Sequence, residues 1–120
     1  EYFLYWEDVD LCHRVVEVGG ELVIDESAVA VHDEGGTQNA VRPGQSRSEL
    51  FYYYNIRNRL LYARRNLSAS ELRSWQKATL RVSYGTLLGG GRRQLVSSIA
   101  PWRALVRGMR DGLRARVGPR

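Results

Sequence analysis

Apolar residues recur along this chain with more than one period, and each change of period marks a new part. The opening run Tyr2, Phe3, Leu4, Tyr5, Trp6 is continuous and aromatic, which predicts a short strand or an extended approach. Over about 8–18 the spacing becomes three and four. Val9, Cys12 and Val16 share a face that Leu11, Val15 and Val18 widen, and this predicts a helix. Glu7, Asp8 and Asp10 stand at its start, where negative charge suits the positive end of the helix dipole, and Gly19 and Gly20 supply its stop. Two short runs, ELVID at 21–25 and AVAVH at 28–32, predict strands joined by a turn at Asp25, Glu26 and Ser27. The stretch HDEGGTQNAVRPGQS that follows is polar and predicts a long loop.

From there on the pattern is helical. SELFYYYNIRNRLLYARRN, 48–66, predicts a helix with Leu50, Tyr53, Tyr54, Arg57, Leu60, Leu61 and Arg64 near one stripe and Tyr52, Ile56 and Arg59 toward another side. Ser68 and Glu71 have the spacing of a capping box, which predicts a second helix running to about Leu88. Three glycines at 89–91 interrupt it. A third helical stretch spans about 93–116, broken near Pro101, with Leu95, Val96, Ile99, Trp102, Leu105, Val106, Met109 and Leu113 apolar and arginines on its other faces. The expected architecture is therefore α/β over residues 1–45, followed by a basic amphipathic helical extension over 46–120.

Composition sharpens this division. The chain has 120 residues, 43% hydrophobic and 26% charged, which is ordinary globular composition. No apolar run of ~18 residues predicts a transmembrane helix. A single cysteine, Cys12, excludes an internal disulfide and suits a reducing compartment. The sequence opens on Glu1 with neither an initiator Met nor a signal peptide, which reads as a fragment of a longer polypeptide. The net charge of +5 divides unevenly: residues 1–41 carry ten acids and one Arg, a net of −9, and residues 42–120 carry 17 basic and three acidic residues, a net of +14. A strongly basic second part calls for an anionic partner, either a membrane surface or a nucleic acid.

Three groups of residues carry candidate chemistry. In WEDVD, a carboxylate fixed where an extended segment enters a helix could serve as a general base, with aromatic residues before it as the wall of a sugar site. The same acids could equally cap and decorate the helix, and the residue types alone favour that. His32, at the end of AVAVH and followed by Asp33 and Glu34, could ligate a divalent metal or simply bond to loop backbone; His13 has no evident role. The arginine- and tyrosine-rich second part suits an anionic membrane interface or a packing extension with a solvated face, and both rank above nucleic acid, for which no zinc-finger, RNP or GxxG signature exists. GxGxxG, a Walker loop, HExxH, CxxC and GxSxG are also absent.

The order of these pieces resembles a known family. FLYWEDVDLCHRVVEVGGELVIDESAVAVHDEGG is similar to the acceptor-side half of an inverting family 2 glycosyltransferase of the GT-A fold. YYYNIRNRLLYARRN and LVRGMRDGLRARVG resemble the tails of its rhamnosyltransferase-like members. The resemblance implies that Asp8 is the catalytic base, that Glu7 and Asp10 shape the acceptor site and the field around Asp8, and that Tyr5 and Trp6 form its wall. It implies His32 as a metal ligand, with Mg²⁺ or Mn²⁺ held mostly by a nucleotide-binding half that this sequence lacks. The implied partners are a nucleotide-sugar donor, a glycan or lipid-linked acceptor, and anionic lipid beneath the basic helices. The implied setting is cell-surface polysaccharide synthesis in bacteria, at the cytoplasmic face of the plasma membrane. These residues alone would then lack transfer activity. A non-catalytic membrane-surface or interaction module, and a nucleic-acid-binding basic protein, remain as rival readings.

Overall fold

The computed structural model describes Tyr2 and residues 4–29 and 47–119, and it arranges them as helices. They are α1 (Glu7–Glu17), α2 (Glu49–Asn66), α3 (Ala69–Gly89), α4 (Gln94–Ser97) and α5 (Ala100–Leu113). Their boundaries follow local signals. Ser48 caps α2 by accepting from the Phe51 amide at 3.2 Å. Ser68 and Glu71 form the capping box of α3, with Glu71 Oε2 accepting from the Ser68 amide at 2.9 Å. Pro101 sits in the first turn of α5, where its missing N–H costs nothing.

The α/β expectation is overturned: among the described residues there is no strand. ELVID forms no strand, and Leu22, Val23 and Ile24 are exposed. Of AVAVH, Ala28 and Val29 are described and form no ladder, and the rest lies outside the described residues. The turn between them does form. Asp25 accepts from the Ser27 amide at 2.9 Å and the Ser27 hydroxyl at 2.6 Å. A turn is local, but a strand needs a partner and a buried face, and a lone two-stranded hairpin is marginal in water. With Val23 82% and Ile24 90% exposed, no apolar face is buried here to hold such a pair.

The core is centred on α2. Tyr52, Tyr53, Tyr54, Ile56, Leu60 and Ala63 are all buried, as are the polar Arg57 and Asn58. A helix buried on nearly every side has neighbours all round it. One of them is α5, which approaches closely through Ala104, Gly108 and Gly112, spaced by four and so stacked on one face. A Cβ on Gly108 would stand 2.5 Å from the Tyr53 carbonyl oxygen, and one on Gly112 would stand 2.9 Å from the Leu60 side chain. The two backbones therefore meet where no side chain fits. Asp111 on the same face accepts from the Tyr53 hydroxyl at 3.0 Å. Arg57 lies with its guanidinium 4.6 Å from the Tyr54 ring centre and its Nε bonded to Asn58 at 2.9 Å, and it also donates to the Gly118 carbonyl.

Candidate active site

The backbone before α1 makes an abrupt change of direction. Tyr5 (φ 64°) and Trp6 (φ 71°) are both left-handed, a conformation that side chains with a Cβ disfavour by roughly 1–2 kcal/mol each. Such a bend persists only where other contacts hold it. The buried Asn58 of α2 supplies the clamp: its amide nitrogen donates to the carbonyls of Leu4 and Tyr5, the latter at 3.0 Å. The Tyr5 ring meets the Phe51 ring edge-on at 5.3 Å, and the Trp6 ring packs 5.4 Å from Tyr62 and 6.0 Å from Trp75. Arg59 covers Trp75 at 4.3 Å. Trp6 then becomes the residue preceding the helix, and its carbonyl accepts from the Asp10 amide at 2.9 Å.

The bend delivers Glu7 and Asp8 to the surface in the first turn of α1. They line an open cavity of about 430 Å³ together with Tyr5, Trp6, Val9 and Asn55. That volume lies within the range of small-molecule sites. One Asp8 oxygen accepts from the Val9 amide at 2.8 Å, which fixes the carboxylate against the helix end. The wall thus draws on two acidic residues, two aromatic residues and the neutral Asn55. Such a set can accept a proton, stack on an apolar sugar face and orient a hydroxyl.

Four of the predicted residues, Tyr5, Trp6, Glu7 and Asp8, come together here. Asp10 does not line this cavity. It is 2% exposed and anchors α1: Tyr2 donates to it at 3.1 Å, Asn66 at 3.0 Å and Arg14 at 3.0 Å, with Arg65 at 3.9 Å. Burial alone would raise the Asp10 carboxyl, but the Asn66 and Tyr2 hydrogen bonds and the Arg14 and Arg65 charges outweigh it and hold it below the usual carboxylate range. Tyr2 is in turn pushed up to about 12, first by burial and then by the Asp10 charge. His13, without a role in the sequence, is half-buried; its Nδ1 lies 3.1 Å from the Tyr62 hydroxyl and its Nε2 3.4 Å from Glu17. Asn55 was missed. Asn55 and Asn58 stand three apart on α2, so both can face one side, and that spacing was the available signal.

His32, Asp33 and Glu34 lie outside the described residues. Among the described residues, no group of three or more His, Cys, Asp or Glu side chains gathers as a metal site. Glu7 and Asp8 by themselves fall short of the ligand number that Mg²⁺ or Mn²⁺ takes from protein and substrate together. Compared with known protein families, with curated proteins and with solved structures, the chain matches none.

Proposed function

We propose that these residues form the acceptor side of an inverting glycosyltransferase acting on a nucleotide-diphosphate sugar, with Asp8 as the general base. The observation that carries this reading is that Asp8 lines an open cavity together with Tyr5 and Trp6, directly after the costly backbone conformation of those two residues. Strain concentrated beside a cavity is a common mark of function, and chemistry is argued from the site and not from the fold. An acceptor hydroxyl seated in the cavity gives its proton to Asp8 as its oxygen attacks the anomeric carbon. The bond from that carbon to the diphosphate oxygen breaks on the far side, so the configuration inverts. Glu7 keeps the wall anionic and Asn55 is placed to orient the hydroxyl. The donor nucleotide is held by residues outside this sequence, which contains no phosphate-binding motif. The products enter surface polysaccharide at the cytoplasmic face of a membrane.

General-base catalysis is worth about 10²–10⁴-fold in rate. In the polypeptide that joins these residues to their donor site, Asp8→Asn is expected to lower kcat at least about 100-fold while donor affinity stays constant. Unchanged turnover rejects the assignment. Acceptor titration followed by tryptophan fluorescence provides a second readout, because Trp6 lines the cavity; acceptors that leave the emission of the wild-type chain unaltered count against a sugar in this cavity.

A further inference from the structure

The residues of α5 that do not face α2 are sorted with unusual sharpness. At about 100° per residue, its buried positions occupy one arc of the helix. Trp102, Val106 and Leu113, with Ile99 just before the helix, fall together within roughly 60° of the opposite side, and all four are exposed. Arg103, Arg107, Arg110 and Arg114 fill the next roughly 60°, again exposed. The acid of this helix, Asp111, is turned inward to Tyr53, so the outer face carries no carboxylate. Arg110 and Arg116 reach round to Asp111 at 3.4 and 3.6 Å, whereas among the described residues no acid pairs with Arg103, Arg107 or Arg114. The Trp102 indole N–H is bonded to the Leu95 carbonyl at 3.2 Å, which leaves part of its ring at the surface.

We infer that this outer face of α5 binds the interface of an anionic membrane, with the apolar row entering the acyl boundary and the arginine row lying on the lipid phosphates. A solvated helix would mix polar residues through its exposed arc. A row of Ile, Trp, Val and Leu in water is unfavourable unless something apolar covers it. An anionic lipid surface offers apolar depth and negative charge side by side, and Trp with Arg is the pairing that such an interface accommodates. A nucleic acid would neutralise the arginines but leave the apolar row uncovered. A second copy would bring up the same arginines with no exposed acid on this face to meet them. No described helix is long and apolar enough to cross a membrane, so the binding is peripheral. The inference does not depend on Asp8 chemistry, and its test needs no turnover.

The test is co-sedimentation of the 120-residue chain with vesicles of phosphatidylcholine alone, or mixed with phosphatidylglycerol, at physiological salt. Binding is expected only to the mixed vesicles. Each arginine beside an anionic surface is worth about fivefold in affinity, so Arg103→Gln with Arg107→Gln is expected to weaken binding about 30-fold. Val106→Ser is expected to weaken it several-fold through the lost apolar contact. These side chains are exposed, and circular dichroism checks that each variant folds. Equal binding to phosphatidylcholine alone overturns the inference. So does vesicle affinity unchanged in both variants, tighter binding to a duplex oligonucleotide at the same salt, or a dimer that these substitutions dissociate.

Discussion

Both α5 and α1 pack against α2, but by opposite means. The α5 contact is made mostly of absences: Ala104, Gly108 and Gly112 remove side chains so that two backbones can touch, and the Tyr53–Asp111 hydrogen bond is a polar exception. The α1 contact is made of polar side chains. Asp10 gathers Tyr2, Asn66, Arg14 and Arg65, His13 meets Tyr62, and Asn58 clamps the carbonyls just before the helix. Much of the apolar surface of α1, including Val9, Leu11 and Val16, stays in solvent. Close apolar packing is indifferent to pH, and a cluster of charges and phenols is not. The candidate site thus sits on the part of the molecule whose attachment is electrostatic, while the scaffold beneath it is steric.

The largest expected effect tests the steric half. Gly108→Ala forces a methyl group to within 2.5 Å of the Tyr53 carbonyl oxygen, and the backbone there cannot yield cheaply. A loss of roughly 3 kcal/mol in denaturant unfolding is expected. Gly85→Ala is the paired control. It lies inside α3 with nothing within 4 Å of the added carbon, so the better helix propensity of alanine is expected to add roughly 0.5–1 kcal/mol. Opposite signs at two helical glycines separate close packing from propensity. The same sign at both would mean that α5 does not approach α2 as described.

Next in size is the electrostatic half. Asp10→Ala removes the acceptor shared by Tyr2, Asn66 and Arg14, and a loss of roughly 2 kcal/mol is expected at neutral pH. The pH dependence has a definite sign. The folded-state pKa of Asp10 lies below its unfolded value, so its contribution is complete above about 4 and disappears as pH falls through the folded value. The gap between wild type and variant is therefore expected to close in acid. A gap that persists unchanged at low pH would assign the loss to packing instead of charge.

How much of this was legible in the sequence follows the same division. The starts of α2 and α3 were, because caps are local: Ser48 and the Ser68–Glu71 box each act within one turn. Pro101 was legible only as a break in a longer helical stretch, and it stands in the first turn of α5. The cavity-lining run Tyr5, Trp6, Glu7, Asp8 was legible as a cluster, since residues adjacent in sequence stay adjacent in space. The strands were not, because alternation states only what a strand would bury, and no partner is present among the described residues to bury it against. The spacing of Ala104, Gly108 and Gly112 was in plain view, but a search for large apolar residues passes over positions whose role is to be small. Asp10 looked like a third member of the acidic site. Two residues along a helix is about 200° of rotation, so Asp8 and Asp10 had to face opposite ways. That inference needed only the helix, with Asn66 and Tyr2 then identifying which side was buried.

The smallest loss expected sharpens the comparison most, because it isolates one hydrogen bond in the polar cluster. Tyr2→Phe keeps the ring and removes the hydroxyl that donates to Asp10 at 3.1 Å. A loss of about 1–2 kcal/mol at neutral pH is expected, the worth of a hydrogen bond to a charged acceptor reduced by its partial exposure. The informative part is the alkaline limb. The folded state holds the Tyr2 proton up to about 12, against an ordinary value near 10, so this contribution is complete below pH 10 and is lost as pH rises through the folded value. Tyr53 and Tyr62 also hold their protons harder, chiefly because burial disfavours the phenolate, so wild type loses stability in base for several reasons at once. The difference between wild type and Tyr2→Phe removes the shared terms. It is expected to be constant up to about pH 10 and to shrink above it. A difference that holds steady through pH 12 would show that the Tyr2 hydroxyl does not report the Asp10 charge, and the attachment of α1 would then have to be carried by His13, Asn58 and the aromatic rings.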